Sequence, residues 1–140
     1  MAITAQEVNK LRQMTGAGMM DCKKALVEAE GDFDKAIEIL RMKGQKLSEK
    51  RADRETKEGS VFVRVSEDGS TAHLIAFTCE TDFVAKNDDF QALGNEIADA
   101  AKSNSPADLA ALNALSLGDV TVEEKITGLV GKIGEKLAVT

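Results

Sequence analysis

Apolar residues in this chain change their spacing, and the change divides what it can fold into. Up to Gly44 they recur at intervals of three and four; from Val61 they recur at intervals of two, before the longer interval returns near Phe90. The first spacing lays a stripe along one side of a helix, and the second alternates between the faces of a strand. A helical module followed by a small antiparallel sheet with covering helices is expected, an α+β fold.

Glycines punctuate the first part. Thr4-Ala5-Gln6-Glu7 has the form of a capping box, with Ile3 placed to pack on Val8. Val8 and Leu11 supply the buried stripe of this helix, and Gly16-Ala17-Gly18 breaks it. A second helix from about Met19 would bury Cys22, Ala25, Leu26 and Ala29. Gly31 ends it, Asp32 caps a third with Phe33, Ala36, Ile37 and Leu40, and Gly44 is the expected stop. Residues 45–58 carry no apolar stripe and read as a linker, so the chain divides into a three-helix module with a basic linker, 1–54, and a small α+β body, 55–140.

In the body, Val61, Val63 and Val65 alternate with Phe62, Arg64 and Ser66, and Asp68-Gly69 sits where a hairpin must turn. A return strand spans roughly Thr71 to Glu80, and Asp88 is the expected cap of the helix after it. That helix buries Phe90, Leu93, Ile97 and Ala101 and ends at Ser103-Asn104-Ser105-Pro106. Ala107 to Leu115 suggests a short helix, and Ile126, Leu129, Val130, Ile133 and Leu137 a final one. Leu137-Ala138-Val139-Thr140 runs from apolar into β-branched residues and has no closing turn. Two strands alone are marginal, so a further strand is expected there. The chain reads as a truncated piece whose unpaired sheet edge would invite self-association.

Composition narrows the function. Five Phe and no Trp or Tyr leave few platforms for stacked bases. Residues 59–140 hold 6 Lys and Arg against 13 Asp and Glu, a net −7 that repels phosphate backbones, so no direct nucleic-acid partner is expected. The basic run from Arg41 to Glu58 reads as a solvated helix face. Cys22 and Cys79 stand far apart, the habit of buried thiols in a reducing compartment. With no leader-like or membrane-length apolar run, a cytoplasmic address and no membrane partner are expected.

No enzymatic constellation emerges. His73 and Cys79 share strand parity, but six residues at about 3.3 Å each separate them by roughly 20 Å. Gly16-Ala17-Gly18 lacks the Lys-Ser/Thr of a phosphate loop, and Asp82, Asp88 and Asp89 are not spaced as a calcium loop. No catalytic residue, metal site or cofactor is implied. What remains is Thr81-Asp82-Phe83-Val84-Ala85-Lys86-Asn87, a carboxylate beside an aromatic ring at a strand end. Such a segment serves a partner, or else Phe83 tucks into the core and Asp82 caps a turn. Met19-Met20 offers a similar choice between packing on the first helix and an adaptable exposed contact, and Arg12 reads as a surface cation.

Two stretches resemble the signatures of bacterial elongation factor Ts: Leu11-Arg12-x-x-Thr15-Gly16-Ala17-Gly18-Met19-Met20-Asp21-Cys22-Lys23-Lys24-Ala25-Leu26, and Thr81 to Asn87. The resemblance covers the whole chain but only the first half of a typical family member. It implies a guanine-nucleotide exchange factor for elongation factor Tu, with residues 1–54 as a ubiquitin-associated-like module and 55–140 as the first of two core subdomains. It also implies that Arg12, Met19 and Met20 contact the nucleotide domain of Tu, and that Thr81, Asp82, Phe83 and Val84 disturb its magnesium site. A module binding ubiquitin-like partners, or a thiol enzyme built on Cys79, would be the competing readings.

Overall fold

The computed structural model describes residues 2–140. Three helices come first: α1 (Ala5–Thr15), α2 (Met19–Glu28) and α3 (Phe33–Lys50). The capping box at Thr4 forms as expected, its hydroxyl accepting from Glu7 N–H while the Glu7 carboxylate accepts from Thr4 N–H at 2.7 Å. Val8, Leu11, Cys22, Ala25, Leu26, Ala29 and Ala36 close into one buried cluster, with Ile3, Phe33, Ile37 and Leu40 against its edge.

The body follows with β1 (Glu58–Val65), β2 (Ala72–Cys79), α4 (Asp82–Ala85), α5 (Asp88–Asn104), α6 (Leu109–Asn113), β3 (Ser116–Leu117), β4 (Val120–Thr121), α7 (Val122–Ile133) and β5 (Leu137–Val139). The main sheet has the order β1-β2-β5, antiparallel throughout. The strand expected at Leu137–Thr140 is therefore present, with Leu137 opposite Cys79 and Val139 opposite Phe77. Phe62, Ile75, Phe77 and Cys79 point from the sheet into a core closed by Phe90, Leu93 and Ile97 of α5 and by Ile126 and Val130 of α7. The rings of Phe77 and Phe90 stack at 4.4 Å between centroids, 6° from parallel. The Phe62 ring lies over Gly94, where a Cβ would fall 2.3 Å from its Cζ, so only glycine lets β1 sit this close to α5.

Several local expectations are corrected. Helix α3 does not stop at Gly44 but runs on to Lys50, taking part of the expected linker with it. The extension carries Leu47 from the first cluster onto the second, and that burial rewards continued helix. Gly44 is instead the point where α3 crosses α7. A Cβ on Gly131 would stand 2.9 Å from the Cα of Gly44, and one on Gly44 would stand 3.1 Å from the carbonyl oxygen of Thr127. On β1 the alternation is real, but Phe62 faces the core while Val61, Val63 and Val65 lie on the uncovered face. Asn87, rather than Asp88, caps α5, its Oδ1 accepting from Asp89 and Phe90 N–H. Gly134 ends α7, so Leu137 belongs to the sheet and not to the last helix. The β3–β4 pair was not legible, because two-residue strands have no alternation to read.

Candidate partner-binding site

Thr81 to Asn87 leaves the end of β2 and immediately closes one short helix, α4. Thr81 is its N-cap, the hydroxyl oxygen accepting from Val84 N–H at 3.4 Å. Asp82 is the first helical residue rather than the cap, which also places its carboxylate at the favourable end of the peptide dipoles. Val84 and Ala85 turn inward and pack against the body's core. Phe83 turns outward and is 82% exposed, so the core-packing alternative is excluded. An isolated phenyl ring that exposed gains nothing in folding and is available to a partner.

A segment of four helical residues cannot hold its own shape. Here it is tied at both ends. At the C-terminal end, the Gln91 amide donates to Ala85 C=O at 2.6 Å and to Ser60 Oγ at 2.8 Å. At the N-terminal end, the Cys79 thiol donates to Thr81 C=O at 3.1 Å. Across the neighbouring α7–β5 connection, the Glu135 carboxylate accepts from Glu80 and Thr81 N–H and from the Thr81 hydroxyl. Glu80 answers by accepting from Lys136 N–H at 2.7 Å and pairing with Arg54 at 3.1 Å. Those contacts hold the Glu80 carboxyl below its ordinary value of 4.5, the Lys136 amide contributing first and Arg54 after it. The ring stands on a fixed base.

Arg12 sits on α1 and Met19 and Met20 at the start of α2, the two helices that build the other hydrophobic cluster, but none of the three is part of that cluster. Met19 is 54% and Met20 62% exposed, so both leave more than half of their surface open, and Arg12 is exposed as well. A groove of about 520 Å³ opens where α3 meets α5 and α7, with Leu40, Leu93 and Leu129 among its lining. Ion pairs Lys43–Asp21, Lys125–Glu96 and Lys132–Asp89 rim it. His73 and both cysteines lie outside its lining, and the groove does not reach Phe83.

The thiol reading of Cys79 does not survive. Its side chain is fully buried, and burial together with the nearby Glu135 charge pushes the thiol up to about 11, far from a nucleophilic thiolate. Among the described residues no group of three or more His, Cys, Asp or Glu side chains could hold a metal ion, and no helix is long and apolar enough to cross a membrane.

Fold and site together define a class: a three-helix module joined to a small α+β body that presents an anchored, exposed ring away from the groove where α3 meets α5 and α7. Comparison with known proteins shows what the chain is similar to. Residues 80–140 match the family model described as Elongation factor TS. Over 140 residues the chain is 54% identical to elongation factor Ts of Amoebophilus asiaticus, covering 100% of this chain and 50% of that protein. It is 56% identical over 137 residues to that of Christiangramia forsetii, covering 98% and 49%. With the factor of Mycolicibacterium vanbaalenii it shares 57% over 134 residues, covering 96% and 47%. The chain is similar to elongation factor Ts over its whole length, and it spans about half the length of these curated relatives.

Proposed function

We propose that the chain acts in translation elongation as the part of an exchange factor that engages elongation factor Tu and speeds release of its bound GDP. The observation that carries this reading is Phe83, an exposed ring on an anchored helix inside the Thr81–Asn87 motif. GDP is held by phosphate contacts and magnesium. A ring driven between the walls of that site displaces them without having to ligate the ion, and the Asp82 carboxylate competes for the groups that orient the magnesium-bound water. Arg12, Met19 and Met20 supply a second contact with the nucleotide domain, the methionines adapting their shape to it. In this division, residues 1–54 grip the partner and residues 55–140 carry the wedge, in the cytoplasm where translation runs.

The energetics require that the chain prefer nucleotide-free Tu to the loaded form. By linkage, GDP then weakens the chain's hold by the same factor. The test is release of fluorescent GDP from Tu, followed by stopped flow with increasing amounts of the chain. Phe83→Ala is expected to slow catalysed release about tenfold, equivalent to ~1.4 kcal/mol. Its melting temperature should stay within error, because the ring is not part of the core. Release at the parent rate would sink the wedge reading.

A further inference from the structure

The ring that the proposed function depends on has no packing of its own, so its placement is decided by whatever holds the backbone beneath it. Glu135 makes three of the hydrogen bonds at that point. Its Oε1 accepts from Glu80 N–H at 3.1 Å and Thr81 N–H at 3.0 Å, and its Oε2 accepts from the Thr81 hydroxyl at 2.7 Å. The last bond also orients the cap: with its proton given to Glu135, the hydroxyl turns a lone pair toward Val84 N–H. A carboxylate suits this position because it is all acceptor and the three groups facing it are all donors. The carboxylate of Glu80 crosses in the opposite direction to Lys136 N–H, so the two segments are stapled reciprocally.

We propose that Glu135 is a positioning residue for nucleotide exchange, holding α4 so that Phe83 meets the partner already in its working orientation. This rests on the exchange reading above. A ring that has to be ordered during the encounter loses part of its effect, and misplacement by about 1 Å can cost up to about 10²-fold in rate. Glu135 itself need not touch the partner. Its effect should therefore fall on the maximal rate of release more than on the concentration of chain needed to reach it.

Glu135→Gln tests this while keeping the side chain's size: the charge that strengthens all three bonds is lost, and the new amide N–H faces the Thr81 hydroxyl as a donor, so that bond must reverse its direction. Three readouts apply to the full chain. Amide exchange at Glu80 and Thr81, followed by NMR, should accelerate about tenfold or more as those bonds loosen. The chain contains no Trp, so Phe83→Trp gives a lone fluorophore whose anisotropy should fall when Glu135→Gln is added. Maximal GDP release from Tu should drop about tenfold with the half-saturating concentration shifted less than about threefold, and Glu135→Gln should add little to Phe83→Ala. Should Glu135→Gln fail to fold, Thr81→Val breaks the shortest bond from the other side and should give the same selective drop, with Thr81→Ser restoring it.

Parent-rate release by Glu135→Gln alongside slow release by Phe83→Ala would overturn the inference and leave the exchange reading standing. Losses that multiply in the double variant would overturn it as well, since the two residues would then act independently. Parent-rate release by Phe83→Ala would remove the wedge and the positioning role with it, whereas a parent chain that does not speed release at all would remove the exchange reading, so the two failures are told apart.

Discussion

At the scale of single residues, the most informative neighbour of the exposed ring is a group that never leaves the interior. Cys79 ends β2, and its thiol is held in the protonated form by burial first and by the Glu135 charge second. Folded chain keeps this proton up to about 11, whereas an ordinary thiol gives it up near 9.0. Between those values the unfolded chain binds fewer protons than the folded one, so stability must fall as pH rises. Urea midpoints measured across that interval should therefore decline, and Cys79→Ala should decline less steeply. Iodoacetamide at neutral pH should leave Cys79 unmodified in the folded chain and label it in urea. The sequence showed Cys79 to be an apolar strand residue out of reach of His73. It could not show Glu135 beside it, because that contact joins positions 54 apart at Thr81.

At the scale of elements, the crossing of α3 on α7 decides how the helical module meets the body. Two glycines face each other there, and the helices approach until one backbone touches the other. Gly131→Val would insert a branched side chain against the Cα of Gly44 and force the helices apart. A loss of about 1–3 kcal/mol is expected, read as a lowered melting temperature. Ala at the same position should cost less, the neighbouring backbone having a smaller group to clear.

This crossing also explains why the sequence does not reveal the length of α3. A glycine after an apolar stripe looks the same whether it caps a helix or makes room for another one, and Gly131 is too remote to enter a local argument. The stripes on α1, α2 and α5 were legible because amphipathic spacing is local, and each of them is buried as its spacing predicts. Strand β1 gave its period but not its polarity. Which parity faces inward was set by the ring of Phe62 finding the gap at Gly94, a match between two elements that neither announces alone.

At the scale of the whole fold, the sheet has one face under helices and one that, among the described residues, is left exposed. Val61, Val63, Val65 and Leu74 all lie on the uncovered face, Leu74 at 68% exposure. Among the described residues, no strand pairs the outer edge of β1 either. An apolar face beside an open edge favours association with like surfaces. Sedimentation velocity over a concentration series is expected to show reversible self-association, and Val63→Lys should suppress it without unfolding the chain. Concentration-independent sedimentation of the parent would count against this. The α+β architecture was readable from the change in apolar period, and the ring of Phe83 from its odd place after a buried strand. The shape beneath that ring was not readable, because it depends on a distant glutamate.

That dependence has a consequence for the order in which the molecule is made. A nascent chain emerges amino-terminus first at about 5–20 residues per second, and α1 to α3 can pack as soon as they are out. The Thr81–Asn87 motif leaves the ribosome well before Glu135, so for several seconds at the slower rates it exists as sequence without its staple. A partner meeting the chain in that interval would find the ring but not its perch. On the role proposed for Glu135, competence to act would be timed by synthesis: it would arrive with Glu135 and the strand that follows it, and not with the motif itself.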